Sequence, residues 1–403
     1  MKMFRRSLCL VIILSFCFIL SASGIYKELE EQNISDPENV PGVKEPLYTK
    51  QDVEQQVEKK TELQEEIKQP SVQLPPAQLP PAQLPPAQQP PVQQLPVQQK
   101  ITISLAGDCT LGTDESFSYA NSFPYQVKKQ NEDWSYFFAG VKHIFENDDL
   151  TLVNLETTFT TAKKKAKKTF RFKGDPSYVN ILKEGSIEMV NIANNHIYDY
   201  LQKGFDDTLE TLEQAGILYS GEGHIAFFET KGLTIASLGY CGWSTSIKDQ
   251  LKSDLEDVRS KGDLVIVSFH WGKERSNYPN DIQKELGRFA IDHGADLVAG
   301  HHPHVIQGIE KYKGRYIVYS LGNFCFGGNR NPKDKDTFIF QNEFVFMDGQ
   351  LKDSQCKIIP CRISSVTHVN DYQPTVLEGE EAQRVMNRIL KYSSSLEYAF
   401  TED

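Results

Sequence analysis

Past residue 100 the apolar positions fall into two alternating rhythms. Short, nearly continuous apolar runs at 101–106, 150–155, 187–193, 233–240, 264–269, 297–300 and 316–320 predict buried strands. Between them, helical spacing marks 138–147, 178–185, 205–215 and 282–293. Gly185, Gly216 and Gly294 close three of these helices, and Leu209 and Leu212 mark the inner face of the third. Strand and helix in alternation predict a layered α/β domain. At 338–366 the helices stop, and alternating runs such as Phe338 to Phe346 predict paired antiparallel strands before a closing helix at 378–394.

Upstream the pattern differs. Lys2, Arg5 and Arg6 precede an apolar run at 8–20, followed by Ser21, Ala22, Ser23 and Gly24, the order of a secretory signal. The run is shorter than the roughly 20 residues of a spanning helix. An uncleaved anchor over 7–23 with snorkelling flanks is the alternative. Phe16 before Cys17 argues against a lipid-modified cysteine. Either form places the rest of the chain outside the cytoplasm. Residues 25–70 are rich in Glu, Gln and Lys and predict disorder, with at most a weak helix at 52–68. A Gln-Leu-Pro-Pro-Ala repeat then starts at Gln73, Gln78 and Gln83 and decays towards Lys100. Proline fixes φ and removes donors, so an extended polyproline stalk is expected, about 90 Å long at full extension. It reads as a spacer, with docking to a proline-reading partner as the other reading. The expected organisation is 1–24 signal or anchor, 25–100 disordered linker and 101–395 folded domain.

The net charge of −11 excludes nucleic acid as the expected partner. Beyond Cys9 and Cys17, an odd set remains without CxxC spacing: Cys109, Cys241, Cys325, Cys356 and Cys361. Separate buried thiols are expected, with a local Cys356–Cys361 pair as the alternative.

The strand ends carry the chemistry. Five of them finish in metal-ligand types: Gly107-Asp108, Asn154-Leu155-Glu156, Asn194-Asn195-His196, His270-Trp271-Gly272 and His301-His302-Pro303-His304. Ligands delivered from separate strand ends are how an α/β scaffold gathers a metal centre. Taken singly, Asp108 is as well a turn cap, Asn195-His196 a helix cap and His270 a satisfied core residue. Glu156 is more telling, because a carboxylate after a buried strand is costly unless paired or metal-bound. The three clustered imidazoles suit one or two divalent ions of the manganese, zinc or iron type. Such a site polarises a phosphoryl or acyl oxygen and activates water. Asn195 is the natural ligand of its dipeptide, which leaves His196 to protonate a leaving oxygen, oriented by Asp199. Lys163, Lys164, Lys165, Lys167 and Lys168 form a basic run in an acidic protein. It reads as a solvated loop or, beside the site, as a steering patch for a polyanion.

In this order and spacing, Gly-Asp, Asn-Leu-Glu, Ala-Asn-Asn-His, His-Trp-Gly and Gly-His-His-Pro-His-Val resemble the CapA family of poly-γ-glutamate capsule synthesis proteins. The resemblance covers about 101–394, including Ser320-Leu321-Gly322-Asn323-Phe324, where Asn323 is a candidate substrate-binding residue. It implies a four-layer α/β/β/α metallophosphoesterase-like sandwich with mixed sheets and a metal site at strand ends. By the same resemblance Asp108, Glu156, Asn195, His270, His302 and His304 match ligand positions, and His196 matches the catalytic histidine. Either His301 or His302 takes the first place of the cluster. The family implies assembly or export of an anionic polymer such as poly-γ-glutamate, alongside a cytoplasmic ligase and a small membrane protein. Two departures stand out. Thr110 replaces the histidine of the superfamily's Asp-x-His pair, and Leu201 follows Asp199-Tyr200 where the family commonly has glycine.

The expected function is an extracytoplasmic role in capsule or poly-γ-glutamate synthesis or export. A stand-alone metal-dependent hydrolase of a phosphoester or amide in an envelope polymer is the alternative. A proline-docked scaffold with a structural metal is a third reading.

Overall fold

The computed structural model describes residues 98–402. The expected signal or anchor, the helix at 52–68 and the proline repeat lie outside the described residues. In chain order the first half comprises β1 (Gln98–Thr110), β2 (Thr113–Asp114), α1 (Phe123–Lys129), α2 (Lys142–Phe145), β3 (Leu150–Leu155), β4 (Thr158–Phe159), β5 (Phe172–Gly174), α3 (Val179–Glu184), β6 (Met189–Asn191), α4 (Leu201–Ala215) and β7 (Leu218–Ser220). The second comprises β8 (Ala226–Thr230), β9 (Leu233–Gly242), α5 (Lys248–Arg259), β10 (Leu264–Trp271), α6 (Asp281–Asp292), β11 (Leu297–His301), β12 (Ile309–Tyr312), β13 (Arg315–Val318), β14 (Asn323–Phe326), β15 (Asp336–Met347), β16 (Gln350–Arg362), β17 (Thr375–Val376) and α7 (Gly379–Ser393).

Two large mixed sheets and a small one of order β2-β5-β4 result among the described residues. The larger has the order β17-β16-β15-β1-β3-β6-β7, with β14 also paired to β1, and the other runs β12-β13-β11-β10-β9-β8. Side-chain alternation assigns each face. Ile101, Ile103, Leu150, Leu152, Phe338 and Phe340 of the first sheet meet Ile235, Ile266, Leu297 and Ala299 of the second in one core. The opposite face of the first sheet packs on α1 to α4 through residues such as Phe123, Phe145, Leu182 and Leu212. The outer face of the second packs on α5 and α6 through Leu251, Leu255, Leu286 and Ala290. This is a four-layer α/β/β/α sandwich with mixed sheets, as expected. Each such fully buried aliphatic side chain contributes about 1.5–3 kcal/mol. Among the described residues no helix is long and apolar enough to cross a membrane.

Several elements differ from expectation. β1 does not break at Gly107-Asp108 but runs through to Thr110 with a register shift between Leu105 and Asp108. Leu105 faces the inter-sheet core and Ala106 the helices; one extra residue then returns Asp108 to the inter-sheet side. Gly107 permits this, since a Cβ there would lie 2.0 Å from the Gly322 carbonyl oxygen. The helix expected at 138–147 is a 3-10 turn at Trp134–Phe138 followed by the short α2. Gly140 interrupts it, packed where a Cβ would lie 2.5 Å from the Pro374 carbonyl oxygen. α4 begins four residues earlier than expected, and its first residue, Leu201, is left-handed at φ 59°. α5 has no counterpart among the expected helices: only Leu251, Leu255 and Val258 are buried in an otherwise charged stretch.

All five described cysteines are free, and Cys241 and Cys356 are only partly buried. Cys356 and Cys361 stand five residues apart on β16, so they point to opposite faces and join different cores. Beyond α7 the chain returns to the edge of β12, where Phe400 N donates to the Ile309 carbonyl at 3.0 Å.

Candidate metal centre

The inter-sheet core changes character at the carboxyl ends of its parallel strands. On β10 the inward row Leu264, Ile266, Ser268 ends at His270, and on β11 Leu297 and Ala299 lead to His301, the register partner of His270. On the facing sheet, Leu150 and Leu152 lead to Asn154, and Met189 leads to Asn191. Strand alternation thus replaces a dry core with a polar layer one step further along each strand.

Asp108 is fully buried. Its Oδ1 accepts from Asn154 Nδ2 at 2.8 Å and lies 3.7 Å from His301 Nδ1. Its Oδ2 faces His304 Nδ1 and the backbone N of His302, both at 3.3 Å. Asn154 is itself fixed by Asn191, whose Nδ2 donates to Asn154 Oδ1 at 2.8 Å. Gly239 makes room for this amide chain, because a Cβ there would come 2.1 Å from Asn191 Oδ1.

Glu156 is the centre of the arrangement. Neither carboxylate oxygen has a hydrogen-bond partner among the described residues, although the side chain is fully buried. Oε1 lies 3.5 Å from His270 Nε2, 3.8 Å from His304 Nε2 and 4.0 Å from His196 Nε2. Burial drives its pKa well above the ordinary carboxylate range; His304 opposes the rise and Asp108 adds to it. Two groups of potential ligands share it: Glu156, His270 and His302, and Asp108, Glu156 and His304, with ligand atoms within 4.8 Å of one another in each. Asn195 Oδ1 stands beside the first group, 2.9 Å from His270 Nε2.

The donor set suits a divalent cation. Burial holds His302 down at about 3, with His304 adding to it, and lowers His270 well below the usual histidine value, so both are neutral at pH 7. Neutral imidazoles beside a carboxylate that lacks hydrogen-bond partners are a ready ligand set. At His304 burial is outweighed by Glu156 and Asp108, which hold it up at about 10. His302 and His304 are both left-handed, at φ 94° and 58°, on either side of Pro303. Arg275 N donates to the Pro303 carbonyl at 2.8 Å and pins this strained turn.

His196 stands beside the two ligand groups and belongs to neither. Its Nδ1 is 2.6 Å from Asp199 Oδ2, and the Phe172 ring packs tilted against it, with centroids 4.3 Å apart. Burial lowers its pKa while Asp199 opposes the fall. Its backbone N donates to Asn194 Oδ1 at 3.0 Å.

Other expected residues fall elsewhere. His301 joins neither ligand group, whereas His302 joins the first. Lys168 is turned inward: its Nζ donates to Asp199 Oδ1 at 2.6 Å and to the Asn195 carbonyl, so it braces the His196 segment. Lys165 pairs with Glu115, while Lys163, Lys164 and Lys167 are exposed. Asn323 is nearly buried and bound to His304 twice, with Oδ1 3.0 Å from Nδ1 and Nδ2 donating to the backbone carbonyl at 3.2 Å. That contact makes Asn323 a brace for His304. Sequence reasoning assigns no role to Asn191, to Phe172, or to Trp243, an exposed ring 4.7 Å from His302. The strand parity of Asn191 is the available signal; the other two depend on distant segments meeting.

Comparison with known proteins adds the following. Residues 102–328 match the family model described as "Bacterial capsule synthesis protein PGA_cap". The chain is 35% identical over 213 residues to the PGA biosynthesis protein CapA of Bacillus subtilis (strain 168), covering 47% of this chain and 56% of that one. It is 30% identical over 257 residues to the capsule biosynthesis protein CapA of Bacillus anthracis, covering 57% and 60%. The matches thus span less than two thirds of the length of these curated relatives. Among solved structures, a hypothetical protein from Thermus thermophilus aligns with a TM-score of 0.41 at 16% identity, covering 64% of this chain and 99% of that one. With the family model matched over more than half of its length, this chain belongs to the bacterial capsule synthesis protein (PGA_cap) family.

Proposed function

We propose that this protein acts outside the cytoplasm in the synthesis or export of an anionic capsule polymer such as poly-γ-glutamate, through a divalent-metal centre built on Glu156. The unpartnered, fully buried Glu156 carboxylate carries the metal reading. A bare buried carboxylate costs several kcal/mol unless a cation offsets it. Asp108 and His304 on one side, and His270, His302 and Asn195 on the other, would hold one or two ions of Mn, Zn or Fe. When bound, such an ion supplies Lewis-acid polarisation of a phosphoryl or acyl oxygen. The role in polymer synthesis is supported by family membership and by the names of the Bacillus relatives. Exposed Lys163, Lys164 and Lys167 would draw a polyanion towards a protein of net charge −11. Neutralising them should weaken polymer binding; unchanged binding at low salt would remove that role.

A hydrolase reading is favoured by the His196–Asp199 pair. With Nδ1 tied to Asp199, His196 presents Nε2 to the centre and can take a proton from an attacking water, then return it to a leaving oxygen. A site that only binds polymer has no use for this device. Metal content and phosphodiester turnover of the full chain, beside His302→Ala, separate the readings. Near-stoichiometric metal with turnover, both lost in the variant, makes it a hydrolase; metal without turnover makes it an assembly or export component. No metal in the wild type would sink the centre. The extracytoplasmic placement rests on residues 1–24, and a reporter fusion active only inside the cell would overturn it.

A further inference from the structure

Of the three clustered histidines, His301 joins neither ligand group. It ends β11 on the inner face, and its ring is fully buried. Neither Nδ1 nor Nε2 has a hydrogen-bond partner among the described residues. Leaving a buried polar group in this state is destabilising, and an apolar ring would fill the same space without that loss. Packing alone therefore does not account for a histidine here.

The group it faces is Asp108. That carboxylate is divided between two tasks. Oδ1 is turned to Asn154 Nδ2 at 2.8 Å and to His301 Nδ1 at 3.7 Å, on the protein side. Oδ2 is turned to His304 at 3.3 Å, on the ligand side. The 3.7 Å separation is longer than a hydrogen bond, so the contact of Nδ1 with Oδ1 is electrostatic. Partners that orient a ligand in this way govern metal affinity nearly as strongly as the ligands do.

We propose that His301 is a positioning residue for Asp108: with Asn154 it fixes Oδ1, so that Oδ2 stays directed at the ion shared with Glu156 and His304. This inference rests on the metal reading above.

The test is Mn2+ affinity of the full chain, by equilibrium dialysis with elemental analysis, for His301→Phe, His301→Gln and His301→Asn. Each is made alone and on an Asp108→Asn background, with thermal melts recorded alongside. The Asn amide occupies the place of imidazole Nδ1, and the Gln amide that of Nε2. Phe and Gln should weaken binding about 10- to 100-fold, whereas Asn retains it. The Phe variant should melt no lower than wild type without metal, because two unsatisfied nitrogens are gone. On the Asp108→Asn background His301→Phe should cause no further loss. Equal losses in all three variants, unchanged binding in the Phe variant, or the same fold-loss without Asp108 would each overturn the inference. Wild type that binds no Mn2+ would overturn the metal reading and this inference with it; wild-type binding with unaffected variants overturns this one alone.

Discussion

His196 and Asp199 are joined by a 2.6 Å contact between Nδ1 and Oδ2, three residues apart in the turn that follows β6. Asp199 Oδ2 also accepts from Phe172 N, and Oδ1 accepts from Lys168 Nζ, both at 2.6 Å. The carboxylate is thus held immobile, and it selects the tautomer that carries hydrogen on Nδ1. Asp199→Asn keeps the shape but loses the charge. Turnover on a phosphodiester should fall about 10²- to 10⁴-fold, while metal content stays at the wild-type level. A parallel loss of metal would show that Asp199 supports the ligands instead.

Glu156→Gln should separate stability from function. Without metal, the neutral amide removes a buried unpartnered carboxylate, and the melting temperature should rise by about 2–4 °C. Metal binding should be lost from both ligand groups, since both include this residue. Calorimetric melts with and without Mn2+ check both halves: wild type gains stability from the ion and the variant does not.

Leu201 occupies a left-handed conformation at φ 59° with its side chain exposed. An L-residue with a Cβ incurs roughly 1–2 kcal/mol there. Leu201→Gly should stabilise the fold by about 1 kcal/mol in urea titrations, with the slope of the transition unchanged. A loss of stability would mean that the side chain contributes packing that outweighs the backbone strain.

Asp148 lies at the opposite ends of the strands from the metal centre. Burial lifts its pKa to about 7; the Ser104 and Thr151 hydroxyls oppose this, and Glu188 and Asp149 add to it. In the unfolded chain the group ionises near 3.8. The folded state therefore holds the proton more tightly, and stability falls as pH rises from about 4 to about 7. Asp148→Asn should match wild type near pH 4 and melt about 2–4 °C higher at pH 8. Equal melting curves at both values would show that the carboxyl is hydrated.

Periodicity makes the frame legible where one element buries a whole run. The strand expected at 150–155 forms at Leu150–Leu155, since every one of its residues is buried. α5 leaves little trace in the pattern, because three apolar residues on one narrow face are enough to seat a helix on a sheet. At the site, Asp108, Glu156, His270, His302 and His304 stand out because each follows a buried strand, and the structure gathers them. The roles of Lys168 and Asn323 are not legible in the same way. Their partners, Asp199 and His304, lie 31 and 19 residues away, and only tertiary contact turns a surface-type lysine inward. The Asn154–Asn191 link depends on strand phase, which a boundary error of one residue reverses.

The extra residue in β1 gives the centre a vulnerability that no ligand substitution shares. Upstream of Gly107 the strand is locked to β15 by continuous pairing from Gln98 to Leu105, and downstream to β14 and to the end of β3. Were the native-length strand to continue past Leu105 in regular register, Asp108 would stand opposite Leu155 instead of Asn154, and its carboxylate would swing towards the helices. Every metal-ligand side chain would still be encoded, and both sheets would still have their cores. The candidate metal centre depends on the irregular register of this strand as much as on its chemistry.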